Sequence, residues 1–96
     1  MSQYTLSEDA DNDFEAIFEY GLDTLGRNAA VEYQNKLIAH FEDLAAFPLH
    51  YQAVDHIKKG YRRSIHGAHT IYYRIDGEDI TIIRILGRQD PFRAMN

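Results

Sequence analysis

The chain is predicted to fold as one α+β domain over residues 1–96: two acidic helices, then an antiparallel β-meander that carries most of the positive charge. Three observations predict this. Between Ser7 and Pro48 apolar residues recur at three- and four-residue spacing, the period of a helix with one buried face. From Tyr61 to Leu86 they alternate or run together around two tight-turn signals, as strands do. Charge divides at the same place. Residues 1–46 hold ten acids and two bases, a net of −8, while residues 47–96 hold five acids and eight bases, a net of +3.

Taken in order, Gln3-Tyr4-Thr5-Leu6-Ser7 alternates and predicts a short strand with Tyr4 and Leu6 facing inward. Ser7 suits a helix N-cap, and Glu8 and Asp9 complement the dipole of the helix it would open. Ala10, Phe14, Ile17, Phe18, Gly21, Leu22 and Leu25 form its apolar face, and Gly26 is placed to end it. Asn28 is the expected cap of a second helix whose buried stripe is Ala30, Tyr33, Leu37, Phe41, Leu44 and Ala45, closed by Pro48. The short link favours an antiparallel helical hairpin. From Pro48 to Gly60 periodicity lapses, which predicts a surface connection.

Strands follow. Tyr61–Ile65 and His69–Ile75 flank a Gly67-Ala68 turn, and Asp76-Gly77 with Glu78-Asp79 marks the next. The apolar run Ile80–Leu86 predicts a central strand covered on both faces. Gly87 ends it, Pro91 opposes continuation, and residues 88–96 are expected to form an exposed tail.

Composition bounds the function. At 45% hydrophobic and 26% charged the chain is an ordinary globular sequence. It has no cysteine, so neither disulfides nor thiolate metal sites are available. No apolar run approaches the roughly 20 residues a membrane span needs, and the alternating start does not read as a signal peptide, so a cytoplasmic protein is expected. A net charge of −5 and a pI near 5.4 argue against nucleic-acid binding, which draws most of its affinity from phosphate neutralisation.

Candidate chemistry is sparse. His66 and His69 flank the predicted turn and would project from one hairpin face, as metal ligands, as general acid/base groups, or as solvated or backbone-bonded histidines; no third metal ligand and no partnered nucleophile accompany them. Alternation groups Arg62, Ser64 and His66 with Thr70, Tyr72 and Arg74, an outward face that would suit stacking on bases. Arg74 and Arg84 are candidates for pairing with Asp or Glu across the sheet. There is no Gly-rich phosphate loop, nucleophile elbow or paired-carboxylate motif.

The order of local motifs is more specific than any one of them. It runs Tyr4-x-Leu6-Ser7, Phe14-x-x-Ile17-x-x-Tyr20, Gly26, Leu44-Ala45-x-x-Pro48 and Gly60-Tyr61-Arg62-Arg63. It continues with His69-x-Ile71-Tyr72-Tyr73-Arg74, Ile82-Ile83-Arg84-Ile85-Leu86 and Arg88-Gln89-Asp90-Pro91. Over nearly its whole length the chain resembles the ParE-type toxins of the RelE/ParE superfamily. The resemblance implies a β-α-α-β-β-β fold, with one antiparallel sheet against a helical hairpin, and the toxin half of a bacterial toxin–antitoxin pair. It implies a ParD-like antitoxin whose C-terminal segment wraps the toxin, DNA gyrase as target, and neither cofactor nor metal. RelE relatives instead cleave messenger RNA on the ribosome and place His or Tyr near the end of the last strand. Here that stretch is Leu86-Gly87-Arg88-Gln89, which favours the gyrase-directed, non-enzymatic branch; a non-toxic member that only binds its antitoxin is the other alternative. The expected antitoxin surface is Tyr20, Leu22, Lys58, Lys59, Arg62 and Arg63; the expected target surface is Arg84, Arg88, Asp90, Phe92 and Arg93.

Overall fold

In a computed structural model, which describes residues 2–95, the element order is β1 (Tyr4–Leu6), α1 (Glu8–Leu25), α2 (Arg27–Ala46), β2 (Gln52–Ala53), β3 (Tyr61–His66), β4 (His69–Asp76), β5 (Asp79–Leu86) and α3 (Pro91–Ala94). The five strands form one sheet in the order β1-β5-β4-β3-β2. The meander is antiparallel, as expected, but β1 joins β5 in parallel, with Tyr4 opposite Ile80 and Leu6 opposite Ile82. The sheet is therefore mixed, with its one parallel pair at the β1 edge and β2 at the other.

Ser7 caps α1 as its position suggests, its Oγ accepting from the Ala10 amide at 3.0 Å. The same hydroxyl donates to the Ile83 carbonyl at 2.7 Å, so one side chain ends β1, opens α1 and ties both to β5. Asn28 does not cap α2. Gly26, at φ 89°, ends α1 and starts α2 at once, in a conformation that only glycine adopts without strain. The two helices approach closely where Gly21 meets Ala30: a Cβ at Gly21 would lie 3.2 Å from the Ala30 Cβ.

The main core lies between hairpin and sheet. Leu37, Phe41 and Leu44 of α2 pack with Ile71, Tyr73, Ile80, Ile82 and Ile85, and Tyr4, Leu6, Phe14, Ile17 and Tyr33 close its margins. Leu22 and Leu25, expected in the buried stripe, are exposed instead, because α1 extends past the sheet near the inter-helix link and has nothing there to pack against.

The segment after Pro48 is not a bare connection. It supplies β2, pairs Gln52 with Arg63 and Ala53 with Arg62, and buries Val54 completely. Val54 joins Tyr72 and Leu86 in a second cluster on the sheet face away from the helices, flanked by Ile57, Tyr61, Ala94 and Met95. Residues expected in an exposed tail thus include a short helix, capped by Asp90 and docked on this cluster. The strand β5 is thus packed on both faces, which accounts for its apolar run.

Closing the first turn on the His66–His69 pair sets Ser64 opposite Ile71 and Arg62 opposite Tyr73. Arg62, Ser64 and His66 therefore share a face with Ile71 and Tyr73, toward the helices, and not with Thr70, Tyr72 and Arg74; alternation alone left the register between strands open. A bulge opposite Tyr72 and Tyr73 leaves Ile83 unpaired in β5 and turns Ile82 and Ile85 to the same core.

Candidate functional site

A groove of about 600 Å³ runs along the helical hairpin. One wall is α1, from Asp13 through Phe14, Ile17 and Tyr20 to Leu25, a run of roughly 18 Å at 1.5 Å per residue. The other is α2, through Ala30, Tyr33, Gln34 and Leu37. The β3–β4 turn and the end of β5 close it with Ala68, His69, Ile85, Gly87 and Gln89. The lining is almost wholly apolar, and Tyr20 (69% exposed) and Leu25 (68%) stand at its rim. Exposed large apolar side chains beside a formed groove mark a docking surface more often than a catalytic one.

Polar groups converge at the Asp13 end. Asp13 accepts from Arg84 Nε at 2.8 Å, from Arg84 Nη2 at 3.0 Å and from the Ile85 amide at 2.9 Å. It thereby occupies the free edge of β5 where β1 has ended. Arg84 also donates to the Ala94 carbonyl at 2.9 Å, so this ion pair joins α1, β5 and α3 around the sheet edge.

Beside it stands a histidine and tyrosine cluster. The Tyr33 hydroxyl donates to the His66 carbonyl at 3.1 Å and lies 2.7 Å from His69 Nδ1. His40 Nε2 lies 2.8 Å from the Ser64 hydroxyl, and the His40 and His66 rings are 5.1 Å apart. Burial lowers the proton affinity of all three histidines. The positive charge of His66 adds to this at His40 and His69, and Lys36 adds to it at His66. Asp43 opposes the shift at His40 and Asp13 at His69. Burial likewise raises the Tyr33 phenol, with the Ala68 backbone working against it. The shifts favour the neutral form of each histidine, and the rings of His40 and His69 are bonded to protein rather than poised over a substrate. Among the described residues no group of three His, Cys, Asp or Glu side chains is arranged to hold a metal.

The sequence-predicted site residues fall into separate regions. Tyr20 lines the groove and Leu22 stands beside it on α1. Lys58, Lys59, Arg62 and Arg63 lie instead on β3 and the loop before it. There Lys58 donates to the Met95 carbonyl, Arg62 to the Tyr51 carbonyl at 2.7 Å, and Arg63 to Gln52 Oε1. Arg88, Asp90, Phe92 and Arg93 are exposed beyond β5, with Phe92 49% exposed. Arg84 does not belong with them: its side chain is 19% exposed and committed to Asp13 and Ala94. Nor does it pair across the sheet, since Asp13 comes from α1, while Arg74 pairs with Asp76 of its own strand. Gly87 presents only backbone at the strand end, its amide donating to Gln89 Oε1 at 2.7 Å.

Residues 4–92 match the family model described as the ParE toxin of the type II toxin–antitoxin system parDE. The chain belongs to the ParE toxin family. Toxin ParE1 of Caulobacter vibrioides is 34% identical over 94 residues, covering 98% of this chain and 97% of that protein. Toxin ParE1 of Mycobacterium tuberculosis is 36% identical over 86 residues, 88% of each. The fold matches a chain from the chromosomal ParDE toxin–antitoxin system of P. aeruginosa with a TM-score of 0.78 at 19% identity, over 93% of this chain and 97% of that one. It matches a chain of the RelBE2 toxin–antitoxin complex of Mycobacterium tuberculosis with a TM-score of 0.58 at 21% identity, over 90% and 96%. This is a ParE-type toxin of a type II toxin–antitoxin system.

The hairpin with Tyr20 and Leu22 was expected to be a docking surface, whereas Phe14, Ile17, Tyr33 and Leu37 carry the periodicity of a buried face, which does not distinguish a groove from a core. Tyr33 and His40 share one helical face at seven-residue spacing, and that spacing was the available signal for their convergence with His66 and His69.

Proposed function

We propose that this ParE-type chain acts by binding protein rather than by catalysis, inhibiting DNA gyrase in the cytoplasm and held inactive by a ParD-like antitoxin. The observation that carries the reading is the apolar groove along α1 and α2, which is built to receive an amphipathic segment and offers no partnered nucleophile. Tyr20 and Leu22 would contact the antitoxin at the groove. Lys58, Lys59, Arg62 and Arg63 would meet an acidic stretch of it farther along, at the β2–β3 edge. The target surface would be Arg88, Asp90, Phe92 and Arg93, where an exposed aromatic sits among mixed charges.

Gly87 supports the non-nucleolytic reading, since it offers no side chain for proton transfer at the strand end. The alternative, a ribosome-dependent messenger RNA endonuclease, draws on the fold likeness to RelBE2. Induction in growing bacteria separates the two. Gyrase poisoning predicts growth arrest with chromosomal breaks, relieved by co-expressing the ribbon-helix-helix protein encoded beside the toxin gene. Codon-positioned cuts in primer extension of ribosome-bound transcripts, without DNA breaks, would overturn the proposal.

A further inference from the structure

The groove is apolar along most of its length, but at its Asp13 end Asp13 and His69 offer acceptors, beside Gln89, whose amide oxygen is taken by the Gly87 N–H. Tyr33 has one hydroxyl proton and two polar neighbours, the His66 carbonyl and His69 Nδ1. Both contacts are satisfied when that proton goes to the carbonyl and His69 Nδ1–H donates to the phenol oxygen. His69 Nε2 then carries a lone pair. It points toward Gly87, where it would lie 4.0 Å from a Cβ at that position. Asp13 accepts three hydrogen bonds, two at Oδ2 and one at Oδ1, so one of the roughly four acceptor sites of a carboxylate stays open. Of the acids on α1 Asp13 lines the groove, and the helix as a whole carries seven acids and no base.

We infer that the segment seated in this groove is an amphipathic stretch of protein that brings one cationic side chain, Arg or Lys, to the Asp13–His69 end. This rests on the groove being the antitoxin's seat and specifies the chemistry of what sits there. A neutral apolar segment would leave two acceptors dry and unpaired. An acidic side chain would meet lone pairs and the field of α1. A guanidinium or ammonium supplies donors to both acceptors at once, and the fork of Arg spans two of them. The partner segment would therefore be basic here even if acidic where it meets Lys58, Lys59, Arg62 and Arg63, which fixes its direction along the toxin.

The test selects random 16-residue displayed peptides on the intact chain and counter-selects on Ala16→Trp, which fills the groove from an exposed position without altering Asp13 or His69. Peptides lost on the variant should be enriched in Arg or Lys beside apolar residues. Groove-dependent peptides lacking a base, or enriched in Asp and Glu, would overturn this inference and leave the groove as a docking site. Finding no groove-dependent peptide would overturn both. For a selected peptide made synthetically, replacing its Arg with the uncharged isostere citrulline, or its Lys with norleucine, should weaken binding about tenfold or more. Equal binding would sink the proposal.

Discussion

Asp13 and Arg84 illustrate how one residue pair can join three elements. Each is mostly withdrawn from water, and together they satisfy the Ile85 amide and the Ala94 carbonyl as well as each other. Losing one partner should cost more than the attraction between them, because the other stays desolvated and unpaired. Asp13→Ala is expected to destabilise the chain by about 2–3 kcal/mol in urea unfolding. Asp13→Ala with Arg84→Met should cost less than the two single changes added together; strict additivity would refute the coupling. Nothing in the sequence announced this contact. Asp13 looks like one acid among seven on α1, and its partner lies 71 residues away.

Protonation acts at the same scale. His40, His66 and His69 all bind protons less readily in the folded chain than at the ordinary histidine value of 6.5, chiefly through burial. The unfolded chain therefore protonates first as pH falls. Stability is full above that value, declines as pH drops below it, and stops declining from this cause once the folded histidines are also charged. The thermal midpoint should fall between about pH 7 and pH 5, and His66→Phe, which removes the charge between the other two rings, should flatten that fall. A midpoint unchanged over this range would show that the cluster does not couple to folding.

At the scale of elements, the helical hairpin depends on the contact between Gly21 and Ala30. Gly21→Val places a branched side chain where even a Cβ is tight and should cost about 1–3 kcal/mol by chemical denaturation, with the groove between the helices distorted alongside. An unchanged midpoint would mean that the helices separate freely. The helices, the three long strands and both turns were legible, because each carries its own periodicity and punctuation. The elements that escaped are those specified by tertiary contacts. β2 is two residues long and exists through its pairing with Arg62 and Arg63. The helix α3 has four residues and rests on Val54, Tyr72 and Leu86, contacts that no local pattern encodes. The bulge at Ile83 hides inside a run where every residue is compatible with a strand.

For the whole molecule, the division of charge seen in the sequence survives folding but changes meaning. The apolar face of α1 forms one wall of the groove, with Asp13 at its end and the other acids of the helix exposed, whereas several meander bases are spent on carbonyls and carboxylates of the chain itself. No broad basic sheet face is left open among the described residues: residues 54–61 and α3 cover the outer face around Tyr72 and Leu86, where Ile65 and Arg74 stay exposed farther out, and the helices cover the inner one. What remains exposed is suited to proteins, a groove on one side and the Arg88–Arg93 segment on another. The site residues were only partly legible, since Tyr20 falls in the groove, whereas Arg84, chosen for accessibility, turns inward.

The most direct test of the claim that this toxin works on a protein is a supercoiling titration. Relaxed plasmid, ATP and purified gyrase are held fixed while the purified chain is added. Supercoiling should fall, and gyrase-linked cleaved DNA should accumulate, as the chain approaches the gyrase concentration, with activity recovering on addition of the antitoxin. Supercoiling that continues at its full rate in large excess of the chain, with no cleaved DNA, would contradict it.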